Sequence, residues 1–227
     1  MRDEYVLDIP EALPAAAAAP LLCAGVTVWS PMQHWGVGTG TKLGVVGLGG
    51  LGHLAVRLGR ALGAEVTVIT SKDEKRTQAY VCGATHVIVS TDKEAMKAAE
   101  RSLEFIVSTI PDPHDPNPYV ALLRRESTIA IVGCITPLSK PLDMSQVFID
   151  RKSVVSSCCG GIRETQELLD FCAAQGLQSD IEMVPIEDIN DVYKRLHEGE
   201  VPHRFVIDMA TLAGKTEDQS LLAKIGL

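Results

Sequence analysis

A run of glycines, Gly47-Leu48-Gly49-Gly50-Leu51-Gly52, restricts the fold of this chain more than any other feature. It follows the short apolar segment Lys42–Val46, which predicts a β-strand, and precedes Gly52–Leu62, whose apolar residues recur at helical spacing. A second strand is predicted at Glu65–Ile69. Glycines in this position permit a tight turn and a close approach of the backbone to phosphate groups. The order therefore predicts a dinucleotide site, with phosphates at the positive end of the helix.

The same alternation continues along the chain. Further strands are predicted at His86–Val89, Phe105–Thr109, Thr128–Val132 and Ser153–Cys158. Further helices are predicted at Lys72–Cys82, Lys93–Arg101, Tyr119–Arg125 and Arg163–Gln175. Strands that alternate with helices predict an α/β protein, here a doubly wound parallel sheet of the Rossmann type with helices on both faces.

The two ends of the chain differ from this central part. Ala15–Trp29 predicts a helix that Pro20 locally resets, and a loop is expected from Pro31 to Thr41. Near the other end, two strands flank a helix, at Ile181–Pro185, Asp188–Glu198 and Arg204–Asp208. We divide the chain into a linker at 1–23, a dinucleotide-binding domain at 24–180, a C-terminal segment at 181–210 and a polar tail at 211–227.

The formal net charge of −8 disfavours binding to nucleic acid or to an anionic membrane surface. No apolar run reaches the roughly 18 residues that suggest a membrane span, and Ala15–Ala19 lacks the charged start of a signal peptide. We therefore expect a cytoplasmic protein. No two of its six cysteines form a C-x-x-C pair, and we expect most of them to be small buried apolar residues.

The residues after the second predicted strand bear on the choice between NAD and NADP. An NAD site usually has an acid about 20 residues after the glycines, which binds the ribose 2′-hydroxyl. This chain has Thr70 and Ser71 there, with Lys75 nearby, and such hydroxyls and cations suit a 2′-phosphate. Asp73 could still support NAD, and Ser71 or Asp73 could simply cap a solvated helix. We favour NADP.

Several segments together resemble a known family. They are Leu21–Pro31, Gly36–Gly38, Val45–His53, Ile162–Glu167 and His203–Met209. From about Tyr5 to Met209 the chain is similar to the cofactor domain of cinnamyl alcohol dehydrogenases, which are zinc-dependent medium-chain dehydrogenases. The resemblance implies NADP-dependent interconversion of alcohols and aldehydes by hydride transfer, with a catalytic zinc that polarises the carbonyl oxygen.

By position, the resemblance implies that Cys23 is one ligand of that zinc and assigns no other catalytic residue in this chain. It implies cofactor contacts at Thr27, Gly47, Leu48, Gly49, Gly50, Leu51, Gly52, Thr70, Ser71, Lys75, Thr109, Gly133, Ser157, Cys158 and Cys159. The family usually has a bulky apolar pair where this chain has two adjacent cysteines. His53, after the glycines, could touch a phosphate, but we expect it to cap the helix or face solvent. A homodimer is implied, paired through the sheet edge near Arg151–Cys159.

The family's GroES-like catalytic domain supplies further zinc ligands, among them a Gly-His-Glu motif that this sequence does not contain. We expect 1–23 and 181–210 to be remnants of that domain, with their strands deprived of sheet partners. Because a catalytic zinc needs three protein ligands, we expect this chain to bind the cofactor without turnover by itself. Two alternatives stay open, namely a stand-alone NADP-binding module and a zinc-independent relative of the quinone reductases.

Overall fold

The computed structural model describes residues 3–198 and 204–212. Its main strands are β1 (Lys42–Val46), β2 (Glu65–Thr70), β3 (His86–Val89), β4 (Leu103–Ser108), β5 (Leu123–Ile131) and β6 (Ser153–Ser156). They form one parallel sheet in the order β3-β2-β1-β4-β5-β6. This is the doubly wound order, which leaves a crevice at the carboxyl ends of β1 and β4. The predicted Rossmann fold is confirmed.

Helices cover both faces of this sheet. They are α1 (Ala15–Ala18), α2 (Ala24–His34), α3 (Gly52–Ala61), α4 (Arg76–Val81), α5 (Lys93–Ala98), α6 (Asn117–Leu122), α7 (Met144–Asp150) and α8 (Ile162–Gln175). Successive strand residues point to opposite faces. Val45 accordingly belongs to the core formed with α2, α3 and α8, whereas Val46 belongs to the core formed with α5 and α6. The glycine run connects the sheet to the first of these cores.

A second, two-stranded sheet consists of β7 (Ile181–Pro185) and β8 (Arg204–Asp208), with α9 (Ile189–Glu198) between them in the sequence. The expectation that these strands lack sheet partners is wrong, because β7 and β8 pair with each other in parallel. Arg57 of α3 donates to both carboxylate oxygens of Asp180, at 2.9 and 2.8 Å. This ion pair ties the small sheet to the helix that follows the glycine run.

The N-terminal helix differs from its prediction. α1 ends at Ala18 and is followed by a 3-10 turn over Ala19–Leu22, while α2 continues to His34 through Pro31, where a loop was predicted. Proline removes one helical hydrogen bond, but Met32 beyond it is fully buried and its burial compensates. In the described residues no single helix has the length and apolarity of a membrane span; Ala15–Leu22 and Ala24–His34 reach both only as a pair, bent by 58°.

Three other regions differ from their predictions. The predicted helix Tyr119–Arg125 is wrong in its second half, because Leu123 pairs with β4 and begins β5. The predicted helix Lys72–Cys82 is a 3-10 turn over Asp73–Lys75 followed by α4. Helix α7 was not predicted, and the Asp143 carboxylate caps its start by accepting from the backbone N–H of Ser145 at 3.0 Å. Most of the predicted tail lies outside the described residues.

The core between α8 and α2 gives the first testable prediction. Leu168 is fully buried there, and its Leu168→Ala variant should lose about 2–5 kcal/mol of unfolding free energy because a cavity replaces the side chain. Urea denaturation measures this loss. The matched variant Val81→Ala, at a side chain that is 75% exposed, should change stability by no more than about 0.5 kcal/mol. Equal effects of the two changes would contradict the assigned core.

Candidate cofactor-binding site

The glycine run forms a tight turn that brings the first turn of α3 against the end of β1. Gly47 has a φ of +90°, which a residue with a side chain rarely adopts. A Cβ atom on Gly52 would lie 2.1 Å from the carbonyl oxygen of Gly47, so only glycine fits there. Gly49 has nothing within 4 Å of such an atom and faces open space. The three glycines thus take the roles that the motif predicts: turn, close packing and an open approach.

Side chains hold two carbonyl groups of this loop. The Lys75 ammonium donates to the carbonyl oxygen of Leu48 at 2.9 Å. His53 is 1% exposed, and its Nδ1 lies 3.2 Å from the carbonyl oxygen of Gly49. Burial lowers the pKa of His53 and so favours the neutral ring, and a hydrogen bond to this carbonyl oxygen requires the proton on Nδ1. The expectation that His53 faces solvent is therefore wrong, because the packing of α3 encloses it.

Arg204, the first residue of β8, lies against the glycine run. A Cβ atom on Gly50 would be 2.5 Å from its Nε, which shows how closely the guanidinium covers the loop. Burial lowers the pKa of Arg204, but an arginine stays protonated. Its Nε is buried and has no hydrogen-bond partner among the described residues. A desolvated cation with an unsatisfied donor is suited to an anionic ligand group.

Sequence reasoning assigned no role to Arg204, although it lies within one of the segments that carry the family resemblance. The sequence feature that could have indicated this role is a basic residue at the start of the predicted strand Arg204–Asp208. Its position over a loop more than 150 residues earlier in the chain could not be read from local spacing.

The predicted site residues line two cavities at the carboxyl edge of the sheet. The larger, about 920 Å³, brings together Cys23, Thr27, Gly49, Gly50, Leu51, Thr109, Gly133, Ser157, Cys158 and Cys159, along with Arg204. The smaller, about 190 Å³, is lined by Gly47, Leu48, Thr70, Ser71, Lys72 and Lys75, with Tyr119. Gly52 lines neither and has a packing role. The structure thus brings the predicted site residues together on both sides of the glycine run. That they contact a cofactor stays a prediction.

The smaller cavity lies at the end of β2. Thr70 is buried, and its hydroxyl oxygen accepts from the backbone N–H of Lys72 at 3.3 Å. Asp73, the acid that could have supported NAD, accepts from the Arg76 guanidinium at 3.0 Å instead. Burial, followed by the charge of Lys72, lowers the pKa of Lys75. The nearby charge at this end of the site is therefore mainly positive.

Cys23 lines the larger cavity together with Cys158 and Cys159. The pKa of Cys23 is raised mainly by burial and, to a smaller extent, by the charge of Cys159. The Thr27 hydroxyl donates to the Sγ of Cys159 at 3.6 Å. Within 3–198 and 204–212, no three His, Cys, Asp or Glu side chains lie close enough together to hold a metal ion. These residues do not by themselves make a zinc site, and the assignment of Cys23 as a ligand stays a prediction.

The expectation that most cysteines are buried is wrong. Only Cys82 and Cys172 are buried, while Cys23, Cys158 and Cys159 are exposed and Cys134 is half-buried. The four that are not buried follow helix breaks or strand ends at the carboxyl edge of the sheet, where the chain lines the larger cavity.

A doubly wound sheet, a glycine turn at its switch point and a half-buried arginine over that turn define an α/β domain of the dinucleotide-binding type. Residues 50–174 match the family model described as zinc-binding dehydrogenase. The chain belongs to the zinc-binding dehydrogenase family.

Relatives with curated descriptions agree with this family. The chain is 44% identical over 197 residues to aldehyde reductase YahK of Escherichia coli (strain K12), covering 87% of this chain and 56% of that protein. It is 45% identical over 208 residues to a probable cinnamyl alcohol dehydrogenase of Pinus taeda, covering 91% of this chain and 58% of that protein. The chain thus spans less than two thirds of the length of these relatives.

Solved structures show the same relation. A cinnamyl alcohol dehydrogenase from Sorghum bicolor superposes with a TM-score of 0.88 at 41% identity, over 92% of this chain and 60% of that one. The Helicobacter pylori cinnamyl alcohol dehydrogenase complexed with NADP(H) gives a TM-score of 0.81 at 35% identity, over 92% of this chain and 59% of that one.

The contact between Gly52 and Gly47 gives the second prediction. Gly52→Ala forces a methyl group onto a backbone carbonyl oxygen, and we expect a loss of about 1–3 kcal/mol in unfolding free energy. Gly49→Ala, the same change at an open position, should alter stability by no more than about 0.5 kcal/mol. Urea denaturation of both variants tests this, and a Gly52→Ala variant as stable as the wild type would show that the turn is not as tight as described.

Proposed function

We propose that this chain binds NADP(H) and presents it as the hydride carrier for the interconversion of alcohols and aldehydes. The observation that carries the choice of NADP is the lining of the cavity at the end of β2. Thr70, Ser71, Lys72 and Lys75 line it, and no carboxylate is among its described lining residues. Hydroxyls and ammonium groups favour a ribose 2′-phosphate, which a carboxylate in that position would repel.

The acids near this cavity are engaged elsewhere. Asp73 pairs with Arg76 at 3.0 Å and Glu74 lies 3.6 Å from Lys72, and both carboxylate side chains are more than 70% exposed. Neither is positioned in the cavity to accept from the 2′-hydroxyl of NAD. The Helicobacter pylori relative, whose structure is a complex with NADP(H), supports the same choice.

The pyrophosphate of the cofactor has two sources of positive charge at the glycine run. The N-terminus of α3 points its free N–H groups and its dipole at the turn. The Arg204 guanidinium covers Gly50 from the other side. This charge is common to NAD and NADP, so Arg204 supports the affinity for both dinucleotides, whereas the cavity at the end of β2 distinguishes between them.

The larger cavity is suited to the nicotinamide end of the cofactor. It lies beside the pyrophosphate position and is mainly apolar, with hydrogen-bonding groups from Thr27, Thr109 and Ser157 at its walls. An apolar enclosure keeps water from the ring, and fixed polar groups orient it. Alcohol and aldehyde chemistry is supported by the names of the relatives, aldehyde reductase and cinnamyl alcohol dehydrogenase. Since the described residues do not form a metal site, no step is assigned to zinc.

The chain is further proposed to pair with a second copy through β6. This strand lies at the edge of the sheet, and the neighbouring helix α7 exposes Phe148 at 83% and Ile149 at 69%. An unpaired strand edge beside exposed apolar side chains favours association. Sedimentation velocity at several protein concentrations should show a dimer; a monomer throughout would contradict this pairing.

Two variants test the cofactor assignment together. Ser71→Asp places a carboxylate at the 2′-phosphate position, so the NADPH dissociation constant should rise at least about tenfold, with no such loss for NADH. Arg204→Ala removes a cation that both cofactors use, and both dissociation constants should rise about 10- to 100-fold. Fluorescence titration of the purified chain with each dinucleotide measures these constants.

Ser139→Asp is the matched control, because Ser139 is an exposed serine outside both cavities. It should leave both affinities within about twofold of the wild type. Wild-type protein that binds neither dinucleotide would overturn the proposed function, and tighter binding of NADH would overturn the choice of NADP. Binding of NADPH without reduction of an aldehyde would favour the stand-alone module.

A further inference from the structure

The segment Ile162–Glu167 carries part of the family resemblance, but the proposed function gives it no role. It begins α8, directly after a loop whose residues Ser157, Cys158 and Cys159 line the larger cavity. Within the segment, the half-buried side chain of Glu164 bonds to that loop and to a second helix at the same time. The segment therefore connects part of the cavity wall to the rest of the fold.

Each carboxylate oxygen of Glu164 accepts from a different part of the chain. Oε2 accepts from the backbone N–H of Gly161, the last residue of the loop, at 2.8 Å. This bond is one half of a capping box, in which the third residue of a helix reaches back to the residue before its start. Oε1 accepts from the hydroxyl of Ser30 in α2, 134 residues away, at 2.9 Å. One side chain thus bridges the end of the loop and α2.

Two further contacts place the same loop against α2. The Thr27 hydroxyl donates to the Sγ of Cys159 at 3.6 Å. A Cβ atom on Gly160 would lie 2.6 Å from Cγ2 of Val26, so the backbone of the loop lies directly on the helix. Ser30 follows these two helix residues by four and three positions, and such positions share one face of a helix. The loop therefore packs along a single face of α2, and the bond to Ser30 is at one end of that contact.

We propose that Glu164 is a positioning residue for the cofactor: it fixes the loop after β6 on α2, and the loop sets where the nicotinamide end of NADP(H) lies. Residues of α2 and of the loop both line the larger cavity, so the attachment of one to the other sets the shape of the cavity. A wall that is already fixed loses little conformational freedom when a ligand binds, whereas a loose wall must be ordered at a cost in affinity. The effect on the cofactor rests on the proposed function; the attachment of the loop does not.

Three variants test the role of the two bonds. Glu164→Ala removes both, and the NADPH dissociation constant should rise about tenfold. Glu164→Gln should stay within about twofold of the wild type, because its amide oxygen can accept from Gly161 while its NH₂ group donates to the Ser30 hydroxyl. Ser30→Ala removes the bond to α2 and leaves the helix cap, and a rise of about three- to fivefold is expected. An unchanged affinity in Ser30→Ala, or a tenfold loss in Glu164→Gln, would overturn the proposal.

A shorter ligand shows which end of the cofactor is affected. Adenosine 2′,5′-bisphosphate carries the adenine and the 2′-phosphate but no nicotinamide, so its affinity in Glu164→Ala should stay within about twofold of the wild type. The fluorescence emission of bound NADPH, which reports on the surroundings of the nicotinamide, should move toward that of the free cofactor. Equal losses for the two ligands would contradict a role at the nicotinamide end.

Glu167→Ala is the matched control. Glu167 lies on the same helix, its side chain is 53% exposed, and it faces Arg163 at 3.7 Å. This variant should leave the affinities for NADPH and for adenosine 2′,5′-bisphosphate within about twofold of the wild type. A loss as large as that of Glu164→Ala would show that any charge removed from α8 has the same effect.

Hydrogen exchange of the chain without cofactor tests the attachment of the loop separately. Measured by mass spectrometry, the backbone amides of residues 157–161 should exchange about tenfold faster in Glu164→Ala than in the wild type, while Glu164→Gln should resemble the wild type. Unchanged exchange in Glu164→Ala would overturn the attachment. If the wild-type chain binds no NADPH, the proposed function fails instead, and hydrogen exchange still decides whether Glu164 holds the loop.

Discussion

The close contact between the first turn of α3 and the end of β1 is the constraint on which the rest of the site depends. A side chain at Gly52 would collide with the carbonyl oxygen of Gly47, because a Cβ atom added to Gly52 would lie only 2.1 Å from that oxygen. This contact brings the helix N-terminus to the point where the strand order reverses. One cavity opens on each side of the turn, so the position of the turn determines where the two cavities lie.

The turn is held from outside as well as by its own glycines. Lys75 and His53 bind the carbonyl groups of Leu48 and Gly49, and Arg204 covers Gly50. The three side chains come from the segment after β2, from α3 and from β8. A loop restrained in this way loses little further conformational freedom when a ligand binds. The small sheet therefore contributes to the site through Arg204, and the Arg57–Asp180 ion pair connects the same sheet to α3.

Where the sequence predictions failed, packing outweighed local preference. Pro31 lies inside α2 because the helix beyond it is buried in the core. Leu123 has helical spacing with its neighbours, but it pairs with β4 and so begins a strand. Free cysteine is a residue type that is usually buried, yet four of the cysteines line a cavity. They do so because they lie in loops at the carboxyl edge of the sheet, and these loops form the crevice.

The sequence by itself determined the alternation of strands and helices, the glycine turn between β1 and α3, the hydroxyls and cations after β2 and the family. These features depend on neighbours within a few residues, so periodicity and motif spacing reveal them. Only the tertiary structure decided that Arg204 lies over Gly50 and that Thr27 contacts Cys159, 132 residues away. Contacts of that kind depend on how distant segments pack in three dimensions, and no local pattern in the chain encodes them separately.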